Sequence, residues 1–232
     1  MKTISPSLAF RLLRFVRRLR KSRRVVVYFH GGGFRDAFDD NHVQISRWVG
    51  RCLHARVLVC EYPLGVDADC VRVAAAEQVR LASARGPVVV AGDSAGANLA
   101  LYVAQTSPDK VCGVVLLCPW LDLTLSAVSR QRDAVLDCRE LKNMATPFIG
   151  DRELNDPVVS PLFGPHCQQP VFVATGGEDL LAPDGQRYVA QHPTTATGIH
   201  RRRGFHDFMA AWWSVDALAV WVALRRWGRQ EL

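Results

Sequence analysis

The sequence predicts an α/β fold: a mostly parallel sheet with helices on both faces. Three observations carry that expectation. First, Val25–Phe29, Val88–Val90 and Gly113–Cys118 are short apolar runs without polar alternation, the mark of strands buried on both sides. Second, the stretches between them carry apolar residues at helical spacing. Third, the two patterns alternate along the chain, and such alternation builds parallel sheets. A chain of 232 residues is long enough for one large core. No repeat, low-complexity linker or second-domain boundary interrupts it.

In order, Ser5-Pro6 is a helix start, a capping side chain followed by Pro at the first helical position. Leu8, Leu12, Phe15, Val16 and Leu19 follow at helical spacing, with Arg11, Arg14, Arg17, Arg18 and Lys21 between them. Residues 1–24 therefore read as a basic amphipathic helix. It has three readings: packing on the domain, weak contact with a membrane surface or acidic partner, or a processed targeting segment. The remainder, 25–232, reads as one domain. Asn41–Leu53 is expected to be helix, Arg56–Glu61 strand and Ala68–Ala84 helix. The strand at Val88–Val90 is followed by a helix that ends at Ser107-Pro108. Residues 119–165 are less regular and read as a pocket-shaping insertion with a short helix near Glu140–Ile149. Val171–Thr175 returns to strand, Pro183-Asp184 starts a helix to about Gln191, and Thr195–Ile199 is the last strand. A closing helix is expected to carry Trp213, Ala217, Val220, Trp221 and Leu224 on its apolar face.

Composition excludes some classes. The formal net charge is +7, but nine Lys or Arg and no acid fall in residues 1–24, leaving 20 basic against 22 acidic residues in the body. A nucleic-acid-binding domain would show its basic stripe on the folded body, so none is expected. No apolar run approaches the roughly 18 residues of a membrane span. Seven cysteines without paired spacing read as reduced thiols in a cytoplasmic protein. No Cys/His cluster has metal-ligand spacing.

The chemistry centres on Gly92-Asp93-Ser94-Ala95-Gly96, between a strand and a helix. Strand, sharp turn with Ser at its tip, then helix is the context of a nucleophile elbow. A serine hydroxyl needs a base, and the base needs a carboxylate. Asp179 follows a later strand and His206 lies in a later loop, in the order Ser, Asp, His. Glu178 adjoins Asp179, but neighbouring loop residues point differently, so one of them meets the histidine. Asp184 reads as a helix cap, Asp207 as a capping or surface acid, and His192 and His200 as surface residues. The run Gly31-Gly32-Gly33 after a buried strand offers bare N–H groups to a ligand oxygen, as an oxyanion hole requires. His30 reads as an orienting, hydrogen-bonded histidine. Phe34, Phe38, Trp120 and Phe208 are each candidates for pocket lining or for core.

Together these stretches resemble the hormone-sensitive-lipase-like branch of the α/β-hydrolases. The carrying residues are His30 to Phe34, Gly92 to Gly96, Pro119-Trp120 with Asp122 to Thr124, Asp156-Pro157 with Ser160-Pro161, Asp179 to Leu181, and His206 to Phe208. They come in the family order and cover about residues 25–228. The resemblance implies the α/β-hydrolase fold and Ser94 as nucleophile, Asp179 as orienting acid and His206 as base. It also implies an oxyanion hole from the backbone N–H groups of Gly32, Gly33 and Ala95. The family cleaves small-molecule carboxylic esters with no metal or organic cofactor. Here only 29 residues precede His30, and the usual Tyr-Arg-Leu-Ala-Pro-Glu stretch is Tyr62-Pro63-Leu64-Gly65-Val66-Asp67. Both departures imply a reduced N-terminal cap and one or two missing edge strands. The functional expectation is a serine esterase for small acyl groups. Its rivals are an amidase or acyltransferase using the same residues, and a non-catalytic binding member of the fold.

Overall fold

A computed structural model describes residues 24–232 of the protein. The helix expected over residues 1–24, with its membrane-surface reading, lies outside the described residues save for Arg24. That residue precedes the first strand, and its guanidinium donates to the carbonyls of Leu53 and Leu232.

Among the described residues, six strands alternate with six helices: β1 (Val25–Phe29), α1 (Asp40–Cys52), β2 (Arg56–Cys60), α2 (Ala68–Ser83), β3 (Val88–Asp93), α3 (Ala95–Thr106), β4 (Val111–Leu117), α4 (Cys138–Ile149), β5 (Val171–Gly176), α5 (Ala182–Gln191), β6 (Ala196–Arg201) and α6 (Val215–Gln230). All pairings within the sheet are parallel, in the order β2-β1-β3-β4-β5-β6. The apolar runs of β1, β3, β4 and β5 are buried along nearly their whole length, as a sheet covered on both faces requires. Val25, Val27, Val88, Val90, Val114 and Val173 face one core with α2, α3 and α5. Val26, Tyr28, Val89, Val115 and Phe172 face the other with α1 and α6. The alternation of side chains along a strand divides each run between the two cores.

Helix starts follow their caps. Asp39 accepts from the N–H groups of Asn41 and His42, and the His42 ring accepts from Asp39 N–H, a reciprocal box at the head of α1. Asp67, Asp137 and Ser214 cap α2, α4 and α6. Most sequence boundaries hold within a residue or two. β3 runs on to Asp93 because Gly92 and Asp93 still pair with Leu116 and Leu117. Trp213 departs from expectation: α6 begins at Val215, after the Ser214 cap, and Trp213 stands outside it with 72% of its surface exposed.

Two departures involve acids. Asp184 does not cap α5, whose N-cap position is Leu181. Instead Asp184 is buried, and its Oδ2 accepts from the N–H groups of Leu121 (2.8 Å) and Asp122 (2.9 Å), tying the start of the 119–165 excursion to α5. Burial pushes its carboxyl up to about 7, against the lowering effect of those two hydrogen bonds. Asp207 heads a short turn without a capping bond and sits beside His206.

Candidate active site

Ser94 stands where β3 gives way to α3. Its backbone is at φ 50° and ψ −121°, a region that L residues rarely occupy. Three backbone bonds hold it there: Ser94 N–H donates to Leu117 O (3.0 Å), and Ser94 O accepts from the N–H groups of Ala97 (3.1 Å) and Trp120 (3.2 Å). The neighbouring glycines are sterically obligatory. A Cβ on Gly92 would come within 2.3 Å of the Gly96 backbone, and one on Gly96 within 2.1 Å of Phe29 O. α3 can thus cross the end of β1 at the distance that lets the turn form.

The glycine loop is held from below by Asp93. Its Oδ1 accepts from the Tyr28 hydroxyl and its Oδ2 from Gly31 N–H at 3.0 Å. His42 Nε2 lies 3.5 Å from the same Oδ2. Gly32 and Gly33 take φ of 97° and 58°, conformations that suit glycine. The carbonyl of Gly32 accepts from the N–H groups of Arg35 and Asp36, closing the loop. Ala95 is the first residue of α3, so its N–H has no acceptor within the helix. His30 is buried, bonded through Nδ1 to Gly31 O at 2.8 Å and stacked on Tyr62 at 4.6 Å. Burial lowers its pKa below the ordinary histidine value. That is the orienting role its neighbours implied.

His206 and Asp179 meet: Nδ1 is 3.0 Å from Asp179 Oδ1, which also accepts from Leu181 N–H at 2.9 Å. Both side chains are buried, while Glu178 points to solvent. Burial would lower the His206 pKa, but the carboxylates of Asp207 and Asp179 outweigh it and push the imidazole up to about 10. Ser94 and His206 line one cavity of about 290 Å³ with Gly32 and Gly33. No hydrogen bond joins Ser94 to His206 here. Its other wall comes from the 119–165 excursion: Leu136, Leu141 and Met144. A second cavity of about 440 Å³ adjoins past His206 and is lined by Ile45, Phe205 and Trp213. Of the four aromatic candidates, Phe34, Trp120 and Phe208 are core, and none of the four lines either cavity.

A family model described as the alpha/beta hydrolase fold matches residues 26–209. The chain belongs to this family. Among its relatives is an acetyl-hydrolase of Streptomyces hygroscopicus, 27% identical over 74% of this chain and 62% of its own. The chain thus spans about three fifths of that relative's length. The carboxylesterase NlhH of Mycobacterium tuberculosis is 27% identical over 91% of this chain and 73% of its own. Among solved structures, the Pyrobaculum calidifontis esterase superposes with a TM-score of 0.79 at 22% identity, covering 89% of this chain and 76% of that one. A hormone-sensitive lipase from a metagenome library gives 0.75 at 20%, covering 91% and 79%. At these identities the structural likeness is one of fold.

Sequence reasoning missed two neighbours of the histidine in this alpha/beta hydrolase. Asp207 Oδ2 lies 3.4 Å from His206 Nε2. Cys118, at the end of β4, is buried beside the pair, so that its Sγ, a carboxylate oxygen of Asp179 and a ring nitrogen of His206 lie within 4.8 Å of one another. Sequence spacing carries no trace of this group, since its members lie 61 and 27 positions apart. Strand order alone could have found it: β4, β5 and β6 are sheet neighbours, and each residue follows the carboxyl end of one of them.

Proposed function

We propose that the protein hydrolyses carboxylic esters of small acyl groups through an acyl-enzyme. Ser94 is the nucleophile, His206 the base and Asp179 the orienting acid. The observation that carries this reading is the convergence of a strained Ser94, the Gly32-Gly33 loop and an Asp179-bonded His206 on one cavity. In its deprotonated form, with Nδ1–H donated to Asp179, His206 presents Nε2 as the proton acceptor. Ser94 Oγ attacks the ester carbonyl carbon while Nε2 takes its proton. The carbonyl oxygen becomes an oxyanion facing the N–H groups of Gly32, Gly33 and Ala95. The C–O bond then breaks, and the Nε2 proton goes to the leaving alcohol. Water repeats the cycle on the acyl-serine. Relatives named as an acetyl-hydrolase and a carboxylesterase support the ester as substrate. The small acyl group rests on the roughly 290 Å³ of the Ser94 cavity. Seven unpaired cysteines support a cytoplasmic location.

A fluorophosphonate probe tests the nucleophile. It labels the wild-type protein, and Ser94→Ala is expected to lose that label. Equal labelling of the variant would overturn the assignment. In the same assay Asp179→Asn is expected to react about 10³–10⁴ times more slowly, because an amide favours the wrong imidazole tautomer.

A further inference from the structure

We propose that Cys118, Asp179 and His206 form a binding site for a soft divalent cation of the zinc class, and that occupancy switches the Ser94 centre off. The effect on activity rests on the ester-hydrolase reading above; the binding itself does not. The three side chains supply a thiol, a carboxylate and an imidazole nitrogen, a donor set suited to zinc. They come from the ends of three adjacent strands, and all are buried.

Two observations beyond the cysteine point to a cation. Asp179 Oδ2 is buried and has no hydrogen-bond partner. Such an oxygen is costly to leave unpaired. In addition, Asp207 Oδ2 stands 3.4 Å from His206 Nε2. A metal-bound imidazole commonly donates its second ring N–H to a carboxylate, and Asp207 is placed to receive it. Tetrahedral bonds of about 2.0–2.3 Å put ligand atoms roughly 3.3–3.7 Å apart. The present spread, within 4.8 Å, is about an ångström wider.

Charge and protons balance. The Cys118 thiol gives its proton to solvent and binds as thiolate. His206 gives the Nδ1 proton of its imidazolium form to solvent and binds through Nδ1 as neutral imidazole, keeping one proton, on Nε2. Dication, thiolate and the Asp179 carboxylate sum to zero, which leaves the Asp207 carboxylate as the remaining charge, facing the Nε2 proton of His206. The cation replaces the hydrogen bond between Nδ1 and Asp179. With its proton on Nε2 and turned to Asp207, His206 cannot accept one from Ser94.

The test uses the full chain in a Cys70→Ser, His192→Ala background. These changes remove the exposed thiol and the exposed pair in which the Nδ1 atoms of His166 and His192 lie 2.8 Å apart. Zinc binding is measured by equilibrium dialysis, and cobalt(II) reports the thiolate through its charge-transfer absorption. One ion per chain and a thiolate–cobalt band are expected, with ester turnover falling as zinc loads and returning with a chelator. Cys118→Ala is expected to bind at least about tenfold more weakly. Cys118→Ser is expected to lose the band while still labelling at Ser94, which shows that it is folded. A wild-type protein without the band, or a Cys118→Ala variant with unchanged affinity, would overturn the site. A band in a protein whose metal-free form turns over no ester would leave the site standing and remove the switch.

Discussion

Ser94 adopts a backbone conformation that glycine tolerates and L residues rarely occupy, with φ 50° and ψ −121°. Strain of this kind costs on the order of 1–3 kcal/mol. Ser94→Gly is therefore expected to melt at a higher temperature than Ser94→Ala, and on the proposed mechanism neither variant is expected to turn over ester. An equal or lower melting temperature for the glycine variant would deny the strain. Asp184 gives a prediction in pH. Its folded carboxyl is raised to about 7 from the ordinary 3.8, so the folded state holds a proton between these values that the unfolded state has lost. This contribution to stability is full below 3.8 and is lost as pH rises to 7. The Asp184→Asn amide keeps an oxygen for the N–H groups of Leu121 and Asp122 but does not titrate. Its stability relative to wild type should rise from pH 4 to pH 7 in melting curves. A difference independent of pH would contradict the account. At this scale the meeting of Asp179 with His206 and the sharp turn at Ser94 were legible from residue type and order, and their roles in turnover are the proposal made above. Asp184 was misread as a cap because Pro183-Asp184 resembles a helix start, and only the tertiary fold shows the two amides it serves.

The β3–turn–α3 unit was the most legible element, because each small residue in it answers a contact. Gly96→Ala would drive a Cβ to 2.1 Å from Phe29 O, and backbone at the centre of the sheet cannot withdraw. Gly65→Ala is the control: its φ is 68°, but nothing lies within 4 Å. Gly65→Ala is expected to cost about 1 kcal/mol, as a positive φ imposes on alanine. Gly96→Ala is expected to lose several times that or fail to accumulate as folded protein, read from denaturant midpoints. Similar midpoints would mean that α3 does not need its close approach to β1. The 119–165 excursion was legible as an insertion carrying one short helix, found at Cys138–Ile149, but not in how it folds back on the body. One of its ties to the body runs through Arg72, buried without a carboxylate partner among the described residues and donating to Val158 O (2.7 Å) and Asn98. Nothing in the local sequence of α2 marks Arg72 as a core residue, since an arginine on a helix is ordinarily solvated. Trp213 was misplaced for a related reason: Ser214 starts α6 and severs Trp213 from the helical spacing that it matches.

Across the whole molecule, the site follows from the order of the strands. The chain leaves β1 for β2 on one side and returns with β3 on the other. The connections therefore diverge above β1 and β3, and ligands in open parallel sheets bind at such a switch point. The glycine loop leaves β1 there and Ser94 leaves β3, while Asp179 and His206 follow β5 and β6. The alternation of buried runs and helices made this architecture readable. The cavity wall supplied by Leu136, Leu141 and Met144 was not, because it depends on how an irregular segment folds back. The central claim is that one cavity unites a Ser94 nucleophile with a small acyl pocket. Its most direct test is a p-nitrophenyl ester series, acetate through decanoate, on wild type and Ser94→Ala. The account predicts turnover that peaks at short chains and is lost in the variant. Turnover independent of Ser94, or none on any chain length, would contradict it.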